Sequence, residues 1–521
     1  MTLLTVIEKT SQHSMVSLTV TLSALLTYGL YKSWFYPLYL DPLTRVDGPA
    51  PSRIPLLGNI LALAKKKPMM AMYDWAMQYP GSIYRYYWFG RLTLLTSDPV
   101  TVGYVLGKSN DNWLKCKATE DQFEQSLGHS LLSMNVAEEL IDVWLKRIPV
   151  KGQSEAITRE TRWEFDGKTY TTFDLESSFY CLTMDSIGQF ALGQGFDAIK
   201  SPISPDFENY RIIAESFKVT LLSLLPFSDW IPTETNRRAW NAVREFNQSM
   251  ANIVQKRKQE ILKEVEANGG TFSQDEGASS QKKDMLTMLM VDQLSGEGGS
   301  DKQIQDDVFT AIFAGHETTL TALSWTFYEL ARHPEVQTRL REETRQLYKD
   351  TNGIPSYDAL NSLPYLNAVI REGLRLWSPV PLNLRVNIED DYLPRNNGLE
   401  PLFVSAGTYL HIPIFILQRD PKIWGPDALT FNPDRWISGG PCPPYMPPTG
   451  VCYFPFYHGK RSCIGSKIAI LEMKIHIANL VNMFEFVQTP EMRANQGEID
   501  WRWSISLKPT PGVRLGVRLA D

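Results

Sequence analysis

The spacing of apolar and polar positions predicts long helices and a hairpin. Residues 302–333 read as one helix that ends before Pro334, because proline cannot continue a helix. Residues 238–265 read as a second, charged amphipathic helix. Runs 83–87 and 92–96 alternate around four linking residues and predict a β-hairpin. Residues 99–106 after it are predicted to form a short helix.

Two further segments interrupt this pattern. Residues 268–283 are rich in Gly, Ser and Gln and predict a disordered surface loop. Residues 217–225 are strongly apolar and end in a segment that contains Pro226 and Pro232. This apolar run has two interpretations that the sequence leaves open. It either caps a channel and dips into a membrane, or it is ordinary core.

The N-terminus carries an apolar run at residues 11–31. This run has no acidic or basic residue except His13, which is neutral. About 20 such residues suffice to span a bilayer as a helix. Trp34, Phe35 and Tyr36 suit the membrane interface, and Lys32 suits its cytosolic side. A cleaved signal peptide is the alternative, although no small-residue cleavage site follows the run. The proline-rich residues 48–59 predict a stiff, non-helical hinge.

Composition argues for a protein with a large core and against a disulfide-rich one. The chain has 521 residues, of which 43% are hydrophobic and 11% aromatic, so it can bury a sizeable core. A net charge of −6, from 52 basic and 58 acidic side chains, gives no indication of a nucleic-acid partner. The five cysteines are odd in number and widely spaced, which argues against a disulfide framework and fits a reducing compartment. They are Cys116, Cys181, Cys442, Cys452 and Cys463.

Residues 456–465 hold the most informative chemistry, in the spacing F-x-x-G-x-R-x-C-x-G. Gly459 and Gly465 let the backbone approach a flat cofactor where a Cβ would clash. Arg461 can pair with a haem propionate, and Phe456 can shield the sulfur from water. The pattern therefore predicts that the thiolate of Cys463 ligates a haem iron, and a proximal thiolate favours O–O cleavage.

The centre of the long predicted helix reads Ala314-Gly-His-Glu-Thr-Thr319. Gly315 weakens the helix at this point, and the Thr318 hydroxyl can bond to the carbonyl of Ala314 four residues earlier. Such features bend or open a helix locally. Further along, Glu372 and Arg375 are three residues apart and share one helical face.

Together these motifs resemble the cytochrome P450 family, and the details are similar to those of its fungal microsomal members. The resemblance implies a mainly α fold with small β-sheets, the haem-thiolate monooxygenase fold. It implies one large catalytic domain at residues 48–521 and an N-terminal membrane anchor at residues 1–47. The implied cofactor is haem b, iron protoporphyrin IX, with Cys463 as the axial ligand of the iron.

The resemblance also assigns roles to individual residues. Thr318 and Glu317 are implied to be catalytic, Thr318 by hydrogen bonding at the oxygen site and Glu317 by delivering protons. The residues implied to bind the cofactor are Cys463, Arg461, Phe456, Gly459, Gly465, Arg385 and Gly315. A structural network is implied for Glu372, Arg375 and Arg435. Candidates for an apolar pocket are Phe309, Ile312, Phe313, Val380, Leu382 and Ile505.

One stretch departs from the family pattern. Residues 127–133 resemble the segment that precedes a propionate-binding helix with a W-x-x-x-R or H-x-x-x-R motif. Instead of that helix, Asn135 is followed directly by residues 136–144, which resemble a part of the family found further along. Trp144 and Arg147 are three residues apart rather than four, and do not restore the motif. The helix is predicted to be missing or highly divergent, through genuine divergence or a gene-model artefact.

The leading hypothesis is a haem-thiolate monooxygenase that inserts one oxygen atom from O2 into an apolar small molecule, such as a terpenoid or another secondary metabolite. Electrons are expected from NADPH through a separate flavoprotein reductase, because the chain has no nucleotide-binding glycine fingerprint. The expected location is the endoplasmic reticulum membrane, with a single-pass anchor and a cytosolic catalytic domain. The alternatives are an inactive or haem-poor form, caused by the departure after Asn135, and a haem-thiolate isomerase or dehydratase. The intact Glu317-Thr318 pair argues against the isomerase.

Overall fold

The computed structural model describes residues 20–21, 23–25, 27–52, 57–65, 67–79, 83–88, 91–115, 133–147, 162–201, 204–216, 231–267, 284–296, 298–396, 398–437, 443, 451–503 and 506–521. The segments 217–225 and 268–283 lie outside these residues, as does most of the run 11–31. Within the described ranges, no helix combines the length and the apolar character that crossing a bilayer requires.

The α-helices are α1 (Ile60–Lys65), α2 (Pro68–Gln78), α3 (Pro99–Gly103), α4 (Ser133–Arg147), α5 (Leu175–Leu192), α6 (Pro205–Ser216), α7 (Glu234–Ala267), α8 (Met285–Leu294), α9 (Asp301–Arg332), α10 (Pro334–Asp350), α11 (Tyr357–Asn361), α12 (Pro364–Leu376), α13 (Ile414–Leu417), α14 (Pro421–Trp424), α15 (Ser466–Met483) and α16 (Pro490–Ala494). Wider π-helical turns occur at Tyr31–Leu40 and Tyr104–Lys108. Tighter 3₁₀ turns occur at Pro42–Arg45, Pro433–Trp436 and Gly459–Arg461.

The strands are β1 (Ile83–Trp88), β2 (Arg91–Thr96), β3 (Trp113–Lys115), β4 (Arg162–Phe165), β5 (Lys168–Asp174), β6 (Asn383–Asn387), β7 (Asp391–Leu393), β8 (Leu402–Val404), β9 (Tyr409–Ile412), β10 (Phe484–Gln488), β11 (Asp500–Trp503), β12 (Leu507–Thr510) and β13 (Arg514–Leu519). The prediction of a mainly α chain with small sheets is confirmed.

The chain divides into two compact units, and each unit is assembled from segments that are far apart in sequence. The first consists of Met1–Thr119, Leu382–Ile423 and Met446–Tyr453. The second consists of Glu120–Pro381, Trp424–Tyr445 and Phe454–Asp521.

The first unit contains a five-stranded sheet in the order β1-β2-β9-β6-β3. The predicted hairpin is confirmed, since Ile83 pairs with Thr96 and Trp88 with Arg91. Strand β9 runs parallel to β2 and antiparallel to β6. Strand β6 carries Arg385 and lies between β9 and β3, so both of its edges are paired. A smaller two-stranded sheet of β7 and β8 also belongs to this unit.

The second unit is largely helical and is organised around α9. The Ser300 hydroxyl caps α9 by accepting from the Gln303 amide at 3.3 Å, and the helix ends one residue before His333-Pro334. These limits confirm the prediction of a helix over 302–333. Helix α9 packs against α5, α7 and α8. The buried apolar core between these helices includes Met184, Phe246, Leu286, Val308 and Ile312.

Helix α4 occupies the stretch that departs from the family pattern. Asn135 lies inside this helix, and α4 continues through Trp144 to Arg147. The Trp144 ring is fully buried and packs on Phe173 at 5.0 Å and on Phe484 at 5.4 Å between ring centroids. Strands β4 and β5 and then α5 follow it. Between β3 and β4 the structure describes no helix other than α4, while residues 116–132 and 148–161 lie outside its ranges.

Candidate active site

Cys463 lies in a sharply folded loop directly before α15. The Cys463 amide donates to the Phe456 carbonyl at 2.7 Å, and the Ser462 amide donates to the Gly459 carbonyl at 3.1 Å. Tyr457 and Gly459 have positive φ angles of 63° and 77°, the left-handed conformation that glycine adopts without strain. These contacts turn the loop so that Cys463 is exposed, whereas Cys452 is buried.

The surroundings of Cys463 suit a thiolate. The thiol lies three residues before Ser466, where the 18-residue α15 begins. The N-terminus of a helix carries partial positive charge, which stabilises a nearby anion and favours the thiolate form of cysteine. Lys460 and Arg461 end the 3₁₀ turn beside it and add two cationic side chains.

Gly465 keeps the side of the sulfur clear. A Cβ placed on Gly465 would lie 3.9 Å from the Cys463 Sγ, in ordinary van der Waals contact with it. Cys463 is an exposed thiol that precedes a helix N-terminus and has a glycine two residues after it. This arrangement suits a cysteine that ligates the metal of a flat cofactor from a loop. The residues present are therefore compatible with a thiolate-ligated haem.

Glu372 and Arg375 on α12 form a fully buried ion pair. Both side chains have 0% exposure. Arg375 Nε donates to Glu372 Oε2 and Nη2 donates to Oε1, each at 2.9 Å. The guanidinium also donates to the carbonyls of Ala428 and Thr430 and lies over the Trp424 ring. A surface location for this motif is thereby excluded.

Three further donors complete the shell of Glu372. Oε1 accepts from Arg435 Nε and from the Asn432 amide, both at 2.9 Å, and Oε2 accepts from Trp436 Nε1 at 3.0 Å. Arg435 also pairs with Asp427 at 2.8 Å. Burial alone would raise the pKa of Asp427, but the Arg435 guanidinium and the hydrogen bonds from Asn432 and the backbone together lower it. Glu372 thus accepts hydrogen bonds from both Arg375 and Arg435.

The centre of α9 is a continuous helix. The Thr318 hydroxyl donates to the Ala314 carbonyl at 2.7 Å, as the spacing predicts. Gly315 serves close packing: a Cβ there would lie 2.5 Å from Ile187 Cδ1 on α5. Because α9 stays helical through Gly315, this glycine allows the two helices to approach rather than opening α9.

His316 is turned into the core. Its Nε2 lies 3.1 Å from the Tyr180 carbonyl, and its Nδ1 lies 3.1 Å from the Tyr210 hydroxyl. A carbonyl only accepts, so Nε2 carries the proton and Nδ1 accepts from the hydroxyl. Burial lowers the pKa of His316 to about 4, which keeps the ring neutral. His316 therefore ties α9 to α5 and α6.

Glu317 points towards the C-terminal hairpin of the second unit. Its Oε1 accepts from Ser506 Oγ at 2.9 Å and pairs with Lys508 Nζ at 2.6 Å. Its Oε2 is buried and has no hydrogen-bond partner within the described ranges. The Glu317 side chain is 6% exposed and that of Lys508 is 14% exposed. The pair thus connects the interior of α9 with the protein surface.

Arg385 belongs to the first unit, where it is 1% exposed on β6 and donates to the Leu384 carbonyl at 3.2 Å. The Arg385 side chain is therefore buried and not solvated. Of the pocket candidates, Ile312 is fully buried in the core of the second unit. Phe309 and Phe313 stack on each other at 6.3 Å and pack against that core. Ile505 lies outside the described residues.

Sequence reasoning missed Ser506, Lys508, Trp436 and Asn432. Ser506 is 189 residues from Glu317 along the chain, so no local spacing connects them. Trp436 directly follows Arg435, and a tryptophan beside a predicted buried cation was the available signal. The neighbouring Asn432 contacts Glu372 through its backbone amide, which no side-chain pattern reveals.

Residues 150–514, more than half of the chain, match the family described as Cytochrome P450. Cytochrome P450 monooxygenase 205 of Postia placenta is 29% identical and covers 86% of each chain. Cytochrome P450 monooxygenase 128 of the same fungus is 28% identical and covers 89% of this chain and 90% of its own. Cytochrome P450 monooxygenase FUM15 of Gibberella moniliformis is 28% identical over 80% of this chain and 73% of its own.

Proposed function

The chain belongs to the cytochrome P450 family and is an oxidoreductase of the monooxygenase type, and on that premise we propose that it inserts one oxygen atom from O2 into an apolar small molecule. The other oxygen atom leaves as water, with electrons from NADPH through a separate flavoprotein reductase and protons from solvent. Secondary metabolites such as terpenoids are the proposed substrate class. The observation that carries this proposal is the exposed Cys463 thiol before α15.

Cys463 is proposed as the axial ligand of haem b. When bound, such a haem supplies the activation of dioxygen. The N-terminus of α15 and the cations Lys460 and Arg461 stabilise the thiolate. The Phe456 carbonyl accepts from the Cys463 amide at 2.7 Å, which holds the backbone of the loop at the cysteine. Gly459, Gly465, Gly315 and Arg385 are proposed to complete the cofactor contacts.

The network around Glu372 is proposed to hold the loop that carries Cys463 in position. It joins α12 to the 3₁₀ turn Pro433–Trp436 through Arg435 and Trp436. A buried ion pair that is fully hydrogen-bonded is rigid, because any movement leaves a charge without partners. Arg375 extends the same network to the carbonyls of Ala428 and Thr430.

Thr318 and Glu317 are proposed as the catalytic pair of α9. The Thr318 hydroxyl donates its hydrogen bond to the Ala314 carbonyl, so its oxygen lone pairs can accept from a bound donor. Glu317 is a buried carboxylate linked to the surface through Lys508, a suitable arrangement for moving protons inward. The preserved pair favours monooxygenation over the isomerase alternative.

We further propose that residues 1–47 anchor the protein in the endoplasmic reticulum membrane and that residues 48–521 form the cytosolic catalytic domain. The support is the apolar run 11–31 with its flanking aromatic side chains. In cell fractionation the full chain should stay in the membrane pellet after a high-salt and alkaline wash. Its release by that wash would contradict the anchor.

The decisive test of the function is the carbon monoxide difference spectrum of the reduced, full-length protein. The wild type should show the strongly red-shifted Soret band of a thiolate-ligated haem. Cys463→Ala should lose this band, and the control Cys181→Ala should keep it, because Cys181 lies on α5. A red-shifted band that survives in Cys463→Ala would refute the ligand, and a wild type without the band would overturn the proposed function.

A further inference from the structure

A connected line of polar side chains runs from α9 to the start of β12. Lys508 Nζ and Ser506 Oγ both contact Glu317 Oε1, at 2.6 Å and 2.9 Å. Thr321, one turn further along α9, has its hydroxyl 3.2 Å from Ser506 Oγ. Thr321 also donates to the Glu317 carbonyl at 2.9 Å. The segment before and within β12 therefore contacts the Glu317 side chain and its helix turn together.

The line extends from the surface into the interior. The Lys508 side chain is 14% exposed, that of Glu317 is 6% exposed, and Ser506 is fully buried. Glu176 on α5 lies in the electrostatic range of both Lys508 and Glu317. Lys508 is thus a partly exposed side chain whose ammonium contacts a carboxylate inside the protein.

The two oxygens of Glu317 are used differently. Oε1 has the ammonium and the Ser506 hydroxyl, whereas the buried Oε2 has no hydrogen-bond partner in the parts of the chain that the structure describes. Buried polar atoms are nearly always hydrogen-bonded, so an orphaned carboxylate oxygen indicates a contact with water or a ligand. Holding Oε1 from one side fixes where Oε2 points.

We propose that Lys508 and Ser506 are positioning residues that clamp Oε1 of Glu317 and thereby present Oε2 as the atom that carries protons. Oε2 takes a proton from solvent water and gives the same proton up for the water that monooxygenation forms, so the group ends each cycle as a carboxylate. The C-terminal segment around β12 consequently sets how efficiently reducing equivalents end in product. This inference rests on the proposed monooxygenase function.

Helix α9, which carries Glu317, has another Lys–acid pair that provides a comparison. Lys302 pairs with Asp306 at 2.5 Å, but the two side chains are 67% and 35% exposed. Exposed ion pairs of this type contribute little to stability, because water screens the charges. Lys302→Gln is therefore the matched control for Lys508→Gln.

The test measures product formed per NADPH, peroxide released and the solvent isotope effect, with reductase and at equal haem content. Lys508→Gln should lower product per NADPH by about tenfold, a part of the 10²–10⁴-fold that positioned proton transfer contributes. Peroxide release and the solvent isotope effect should both rise. Lys508→Arg should restore coupling, and Lys302→Gln should match the wild type. Ser506→Ala, which keeps the ion pair, should lower product per NADPH by a smaller factor. It replaces Lys508→Gln as the test variant if Lys508→Gln does not fold.

Infrared difference spectroscopy of the resting protein gives a readout that needs no turnover. The carboxylate bands of Glu317 are those that Glu317→Gln removes, and they should shift in Lys508→Gln but not in Lys302→Gln. Unshifted bands, or coupling in Lys508→Gln equal to the wild type, would overturn the inference. A wild type without the thiolate spectrum would instead overturn the proposed function, and the infrared comparison would still decide the positioning.

Discussion

Glu372 and Glu317 are both buried glutamates of the second unit that face a cation, yet their surroundings differ. Glu372 accepts five hydrogen bonds from described residues, two from Arg375 and one each from Arg435, Asn432 and Trp436. Glu317 uses Oε1 alone, and its cation, Lys508, reaches solvent. A carboxylate with every lone pair engaged holds a structure in place. A carboxylate with only one engaged oxygen can still accept and release a proton at the other oxygen.

The largest expected effect comes from Glu372→Gln. Gln places an NH₂ group against donors and leaves Arg375 as a buried cation without its acidic partner, while Arg435 keeps Asp427 alone. Breaking a buried pair by removing one partner costs about 3–5 kcal/mol, so the free energy of unfolding should fall by that amount. Denaturant unfolding measures the loss, and haem incorporation should fall with it.

The control for this change is Glu342→Gln on α10, because Glu342 is exposed. Exposed substitutions usually change stability by less than about 0.5 kcal/mol. Equal stabilities of Glu372→Gln and Glu342→Gln would mean that the network around Glu372 does not hold the fold together.

The sequence predicted the helices and loops that carry the site more completely than the contacts within it. Local spacing identified α9, the Thr318–Ala314 bond and the shared face of Glu372 and Arg375, because these depend on residues a few positions apart. The family resemblance brought in Arg435. Lys508 was not foreseeable, since its contact with Glu317 depends on how β12 packs against α9. The close packing of Gly315 on Ile187 was likewise a tertiary contact without a local signal.

The second effect concerns His316, which is next to Glu317 in sequence but points into the core. Its pKa is lowered by burial to about 4, against about 6.5 in an unfolded chain. Above pH 6.5 the ring is neutral in both states, and full stability is present. Between pH 6.5 and pH 4 only the unfolded state binds the proton, so stability falls as pH falls, by about 3 kcal/mol in total.

Unfolding free energies measured from pH 7 to pH 4 test this pH dependence. His316→Gln should flatten the part of the profile between pH 6.5 and pH 4 relative to the wild type. Gln can still donate to the Tyr180 carbonyl, which limits other damage. An unchanged slope in His316→Gln would contradict the buried, neutral state of the ring.

A smaller effect is expected for Trp436→Phe, which removes one donor from Glu372 while keeping an aromatic ring. A hydrogen bond to a charged group contributes about 1.5–3 kcal/mol, so stability should fall by that amount. The control is Trp240→Phe, because Trp240 is 44% exposed on α7. Similar unfolding free energies for both variants would show that Glu372 does not depend on its indole donor.

The smallest effect on stability is expected for Glu317→Gln, the same chemical change as Glu372→Gln at the other carboxylate. Gln can still accept from Ser506, and Lys508 can turn its ammonium to solvent, so no buried charge is left behind. The loss should be about 1 kcal/mol, as for an ordinary hydrogen bond, while product per NADPH falls sharply because the proton carrier is gone. Denaturant unfolding and coupling, measured on the same preparation, separate the two carboxylates. If Glu317→Gln lost as much stability as Glu372→Gln and kept its coupling, Glu317 would be a second structural carboxylate, and the distinction between them would collapse.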